Sequence, residues 1–207
     1  MWLFFLSLFL PLHSKPKSIE PLISGFEKAW AEVKSYQSDF KQTIISKELG
    51  SSEESTGTLS VSKPGRLRWE SNTEGSIQIL NGPKYYNIQE NKRRGNRVVD
   101  VYKNVKKTAN LKPLAFLTEN FKVREVYQVK LASETKDLAE LKLQVKGHPE
   151  EVLVAEIDKK SYLLRALVTE NSESRVRIEL LNTKANLALP DSLFEYQAGP
   201  KDLVHEQ

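Results

Sequence analysis

The sequence predicts a mainly β fold with some helix: an antiparallel sheet, apolar on one face, covered by short helical segments. Three observations carry this reading. The stretch from Gly57 to Ile88, GTLSVSKPGRLRWESNTEGSIQILNGPKYYNI, alternates apolar and polar residues in short runs, the period of a strand. From Phe121 onward further such runs recur every ~10–12 residues, with turn signals between them. Two other stretches, around 18–33 and 105–120, have helical spacing instead.

The chain opens on WLFFLSLFLPL (residues 2–12), an apolar run much shorter than the ~20 residues a membrane-spanning helix needs. Its position reads as the core of a secretory signal peptide cleaved near Ser14, with an uncleaved N-terminal anchor as the alternative. That leaves one domain over 15–207, long enough for a single core. The net charge is +4, with both signs mixed along the chain. A nucleic-acid binder would gather its basic residues into a stripe, so no nucleic-acid partner is expected. There is no cysteine, which removes disulfides, thiol catalysis, Cys–zinc sites and acylation of an N-terminal Cys.

Ser18 is placed to cap a first helix whose opening turn holds Glu20 and Pro21. Leu22, Ile23, Phe26, Trp30 and Val33 then form one helical stripe. Residues 37–47 predict the first strand, anchored by Phe40, and Glu48–Ser55 a polar loop. In the meander that follows, Leu59/Val61, Leu67/Trp69, Ile77/Ile79 and Tyr86/Ile88 are assigned to one apolar face. Ser60, Ser62, Arg66, Arg68, Ser76 and Gln78 are assigned to a solvated face. Pro64-Gly65 and Asn81-Gly82 supply turns. NKRRGNR (91–97) turns into another strand, and its Lys92–Arg94 run reads as a solvated tip or a docking patch. The 105–120 stretch is helical but interrupted by Pro113, which implies a kink or two short helices. Strands are expected at 121–133, AELKLQVK, VLVAEID, YLLRALVTE and SRVRIELLN, with a last extended piece around Leu193–Tyr196.

No chemistry is legible. His13, His148 and His205 have no metal-pair spacing, and G-x-S-x-G, HExxH and phosphate-loop patterns are missing. Glu53/Glu54 and Glu150/Glu151 are neighbours in loops, not facing carboxylates. No enzyme, metal or cofactor is expected; an apolar concavity argues for binding.

GTLSVSKPGRLRWE followed by ILNGPKYYNI resembles the periplasmic lipoprotein carrier family, LolA. The places of its pattern are filled by Gly57, Leu59, Val61, Lys63, Pro64, Leu67, Trp69, Asn81, Gly82, Tyr85 and Tyr86. The helix leading into SDFKQ (38–42), the PLAFL segment (113–117) and Phe194 agree as well. The resemblance implies a curved antiparallel sheet forming an incomplete β-barrel, covered by short helices acting as a lid. It implies a monomeric periplasmic chaperone that takes acylated lipoproteins from an inner-membrane ABC-type lipoprotein-releasing complex to an outer-membrane acceptor. The acyl-chain-binding candidates are Leu22, Phe26, Trp30, Phe40, Leu59, Val61, Leu67, Trp69, Ile77, Ile79, Tyr86, Ile88, Leu114, Phe116 and Leu117. Before the proline the family often has an Arg that hydrogen-bonds lid carbonyls. Here Lys63 stands there, keeping the charge without the fork of donors. Arg66 or Arg68 could substitute, although alternation faces them outward. An envelope-stress regulator of related fold and a secreted hydrolase are the alternative readings.

Overall fold

The computed structural model describes residues 18–104, 116–150 and 152–207. Helix α1 (Glu20–Glu32) precedes six strands in a meander: β1 (Ser35–Ser46), β2 (Ser52–Ser62), β3 (Arg66–Ser71), β4 (Ser76–Asn81), β5 (Lys84–Asn91) and β6 (Asn96–Tyr102). Residues 116–118 are helical, and a single helical turn, Val123–Val126, leads into β7 (Tyr127–Glu134). There follow β8 (Leu138–Val145), β9 (Val152–Asp158), β10 (Leu164–Glu170), β11 (Ser174–Ala185), a 3-10 turn at Asp191–Phe194 and β12 (Leu203–Glu206).

All twelve strands make one curved sheet in the order β12-β6-β5-β4-β3-β2-β1-β11-β10-β9-β8-β7, and its two ends do not meet. β1 and β11 pair over most of their length and join the two runs of strands. Every neighbour pair is antiparallel except β12 on β6.

α1 forms where the stripe predicts. The Ser18 hydroxyl accepts from the Glu20 amide at 3.3 Å, Pro21 occupies the first turn, and Ile23, Phe26 and Trp30 are buried. Gly25 lies on the same helix because the Tyr162 ring sits where its side chain would be, 2.5 Å from a Cβ. Against the sheet, Phe40 and Trp69 pack with ring centroids 4.0 Å apart and planes tilted by 36°. Phe40 is paired across the sheet with Gly57, whose missing side chain makes room for that ring. A Cβ on Gly57 would fall 1.9 Å from the Glu70 carbonyl oxygen and 2.8 Å from the Phe40 ring.

The polar loop expected over Glu48–Ser55 is shorter than that, because β2 already begins at Ser52 and pairs with β1 from there. Three further local expectations are corrected. Residues 123–126 coil into a helical turn rather than starting β7. The segment expected to be extended at Leu193–Tyr196 begins inside the 3-10 turn, and the final strand falls later, at Leu203–Glu206. The third correction concerns the faces of the meander. The register sets Val61, Leu67, Leu80, Tyr85 and Tyr102 in one cross-strand row, on the α1 side. Ser60, Arg68, Ile79, Tyr86 and Val101 form a row on the other side. Ile77 pairs with Glu70 and Ile88, so it too is on that outer face, while Ser76 and Gln78 point to the α1 side. β4 and β5 are apolar on both faces, at Ile79-Leu80 and Tyr85-Tyr86, and the register decides which residue turns inward.

The outer face is covered by the C-terminal segment, residues 187–207. Ile79, Ile88, Val99 and Val101 form a second core there, with Ile77, Tyr86 and Tyr196 against it. Tyr196 packs on Tyr86 at 5.3 Å between centroids and donates its hydroxyl to Asp202 at 2.7 Å. Arg97 donates from Nε to Asp202 at 2.9 Å and from Nη2 to the Gln197 carbonyl at 3.0 Å. Arg66 pairs with Asp191, and its guanidinium lies 5.4 Å from the Phe194 ring centre. The tail is therefore a strap clamped across the back of the sheet.

Candidate functional site

The inner face of the sheet is an apolar hollow, and α1 together with residues 116–118 fills it. From the meander it is lined by Tyr36, Phe40, Leu59, Val61, Leu67, Trp69, Leu80 and Tyr85. The other run of strands supplies Tyr127, Leu141, Leu143, Leu153, Ile157 and Leu180 among others. Into this space α1 projects Ile23, Phe26 and Trp30, and the second segment projects Phe116 and Leu117. Phe26 is the hinge of the aromatic packing, stacked on Trp30 at 5.9 Å and on Phe116 at 6.0 Å. Trp30 in turn lies against Tyr36 at 5.5 Å.

Of the fifteen apolar candidates, Phe26, Trp30, Phe40, Leu59, Val61, Leu67, Trp69, Phe116 and Leu117 are buried together in the hollow. Leu22 is half-buried at its margin. Ile77, Ile79, Tyr86 and Ile88 are not in it, since they lie on the outer face beneath the strap. Leu114 lies outside the described residues. The reasoning from sequence missed Tyr36, Leu80 and Tyr85, and the whole contribution of β7–β11. Leu141/Leu143 alternation was visible, but nothing local says that two distant runs of strands face the same helix.

Among the described residues, polar ties of the cover gather in two places: around Lys63 at the end of α1, and at Glu20 and Glu27, which take Arg124, Lys122 and the Val123 amide. The Lys63 amine donates to the Trp30 carbonyl at 2.8 Å and to Asn120 Oδ1 at 3.2 Å, and rests 3.6 Å from the centre of the Trp30 ring. Trp30 Nε1 donates to the Glu119 carbonyl at 3.3 Å, and the Tyr36 hydroxyl to the Leu117 carbonyl at 3.3 Å. The Gly65 amide reaches the Thr118 carbonyl at 3.2 Å. Glu27, on α1, accepts from the Val123 amide at 2.7 Å. Lys63 thus bridges the end of α1 and the 119–120 segment from the β2–β3 turn. Burial drives its pKa down from 10.5 to about 7, helped by the nearby Lys34 cation and opposed by Glu119. Burial also pushes the Tyr36 hydroxyl far above its ordinary range, so it stays a donor. Arg66 and Arg68 face outward, as alternation requires, and are held by Asp191 and Glu70.

Among the described residues, a cavity and a crevice reach this face. A cavity of about 170 Å³ at the start of α1 is lined by Ile19, Pro21, Leu22, Leu131 and Tyr162, with the Lys159–Glu134 pair (2.7 Å) at its rim. A crevice of about 10 Å³ lies among Trp30, Val33, Tyr36, Leu164 and Leu180. Among the described residues the hollow is thus filled largely by the protein's own side chains.

An open curved sheet with an apolar hollow under a helical cover defines a class of binding folds. Residues 31–197 match the family model of outer membrane lipoprotein carrier protein LolA, and the chain belongs to that family. No curated protein matches the sequence. Among solved structures, an uncharacterized conserved protein from Thermus thermophilus is similar over 91% of this chain and 100% of its own, at 10% identity and TM-score 0.54. A LolA superfamily protein from Nitrosomonas europaea matches 87% of this chain and 99% of its own, at 8% identity and TM-score 0.46. The MucA/MucB complex of Pseudomonas aeruginosa supplies a chain matched over 87% of this one and 61% of its own, at 14% identity and TM-score 0.36. At such identities the likeness is one of fold. The family fold supports a lipoprotein-binding or carrier-like role.

Proposed function

We propose that the protein is a periplasmic chaperone that carries acylated lipoproteins across the cell envelope, from an inner-membrane ABC-type releasing complex to an outer-membrane acceptor. One observation carries this reading. The hollow is lined by apolar side chains, and among the described residues the hydrogen bonds that join its filling to the meander gather around Lys63. Among the described residues, the other polar ties of the cover join α1 to residues 122–124, through Glu27 and Glu20, at the margin of the hollow. The packing inside the hollow is nonpolar contact, which acyl chains can replace in kind.

The magnitudes are matched. Withdrawing Ile23, Phe26, Trp30, Phe116 and Leu117 forfeits on the order of 10 kcal/mol, at ~1.5–3 kcal/mol for each buried side chain. Acyl methylenes return ~0.8 kcal/mol each, so about a dozen of them compensate. One longer chain binds with a modest net surplus, and several chains stay below the ~18–21 kcal/mol ceiling of noncovalent affinity only when they are partly buried. A carrier must also release its cargo, and a cover competing for the hollow provides that release.

Lys63 is the latch in this scheme. The Lys63→Leu variant keeps the fold but alters loading or hand-off, because the carbonyl of Trp30 and the amide of Asn120 lose their shared donor. A labelled lipoprotein taken up and passed on equally by variant and wild type removes Lys63 from that role. The wider reading is tested by mass spectrometry of the protein isolated from periplasm. Co-purifying acylated polypeptide supports it, and an empty hollow that refuses purified lipoprotein overturns it.

A further inference from the structure

We propose that the β5–β6 turn, together with the cavity between it and the C-terminal strap, is a docking site for the anionic phosphodiester headgroups of a phospholipid bilayer. The site is on the outer side of the sheet, separate from the hollow, and stands or falls independently of the cargo reading.

Lys92, Arg93 and Arg94 project from the turn, and Lys201 stands opposite them on the strap; all four are exposed. Among the described residues none of these four has an ion-pair partner, whereas Arg66, Arg68, Arg97, Arg124 and Arg177 are each paired with a carboxylate. Between turn and strap opens a cavity of about 480 Å³, whose walls include Glu90, Lys92, Gly95, Arg97, Lys201 and Asp202. Three cations there face two carboxylates, and Asp202 is already spent on Arg97, Tyr196 and the Gly199 amide. The walls keep an excess positive charge, and Arg93 and Arg94 extend it outward from the tip. A volume of this size lies within the ~300–1,000 Å³ of small-ligand sites, room enough for one headgroup.

The composition of the tip selects the occupant. Residues 91–96, NKRRGN, include no apolar side chain. A protein partner is ordinarily held by an apolar centre ringed with polar residues, and the tip offers none. A headgroup layer requires only charge and hydrogen-bond donors. Each Lys or Arg near an anionic leaflet strengthens attachment roughly five-fold, so four of them give on the order of several hundred-fold. Attachment of that strength is reversible and weakens with salt.

The test is sedimentation of the full chain with phosphatidylethanolamine vesicles, with and without phosphatidylglycerol, at low and high salt. Two triple variants are compared: Lys92→Ser, Arg93→Ser and Arg94→Ser at the tip, and Lys130→Ser, Lys142→Ser and Lys160→Ser on the opposite wing. All six side chains are exposed, and circular dichroism checks that both variants stay folded. The expected result is binding to the phosphatidylglycerol vesicles alone, abolished by salt. The tip variant should weaken on the order of a hundred-fold and the wing variant far less. Equal weakening by both variants overturns the site, since net charge alone would then explain the attraction. So does wild-type binding by the tip variant, or indifference to phosphatidylglycerol, including the case where the tip captures an acidic protein but no vesicle.

Discussion

At the scale of single residues, Lys63 joins a bridging geometry to a titration. Its ammonium is buried against the Trp30 ring with two neutral acceptors, and its pKa falls from 10.5 to about 7. The unfolded chain then binds more protons than the folded one between those two values, so the cost of burying the charge is relieved as pH rises. Denaturation midpoints at pH 6 and pH 9 therefore separate wild type from Lys63→Met. Relative to the variant, the wild type gains stability across that interval, and parallel behaviour would place the amine in an ordinary solvated setting. Gly57 is a second residue with a sharp consequence. Alanine there drives a methyl into the backbone of Glu70, which no rotamer change relieves, beside a ring already packed at 4.0 Å on Trp69. Gly57→Ala should cost about 3 kcal/mol in chemical denaturation, the upper end of overpacking penalties. A loss under ~0.5 kcal/mol would mean that β2 and β3 shift apart freely. Gly57 was legible in the sequence as part of a pattern, though as the opening of a strand and not, as found, in the middle of β2. Its reason was not, because the Phe40–Trp69 contact it permits joins residues of strands that are not sequence neighbours.

At the scale of elements, the strap explains why part of the apolar pattern was assigned to the wrong face. Alternation identified the strands of the meander correctly and placed Leu59, Val61, Leu67 and Trp69 in the hollow. It failed at β4 and β5, where apolar residues occur side by side. Ile79-Leu80 and Tyr85-Tyr86 are the mark of strands buried on both faces, and the second face needed a cover that only the tail provides. A polar, proline-bearing tail gives little sign of that role. The clamp depends on Asp202, whose carboxyl is held well below the ordinary 3.8 by the Arg97 side chain first, then by the Gly199 amide and the Tyr196 hydroxyl. Its contribution is complete above the ordinary value and is lost as pH falls below it. Acid should accordingly loosen the strap, and Arg97→Leu should do the same at neutral pH. Hydrogen exchange over residues 196–207 reads both effects, with faster exchange expected while β1 and β2 keep their protection. Unchanged exchange in Arg97→Leu would show that the Tyr86–Tyr196 packing suffices.

At the scale of the molecule, the fold class was legible because strand periodicity, turn residues and the order of motifs all agree with one architecture. The contents of the hollow were legible by half. Residues of α1 and the early meander stand close in sequence and share one stripe, so Phe26, Trp30 and Trp69 could be grouped beforehand. The wing from β7 to β11 joins them only through the long β1–β11 pairing, where Phe40 meets Leu180 across 140 positions of chain. Nothing local announces such a partnership. The same pairing makes β1 and β11 the spine of the sheet, with a run of strands on either side. Those two runs end in β12 and β7, which form no ladder with each other. A sealed cylinder has a girth fixed by its strand number and stagger. This one is a cuff left unbuttoned: its margins can part or approach while every rung between neighbours stays intact, so a change of curvature need not break the garment.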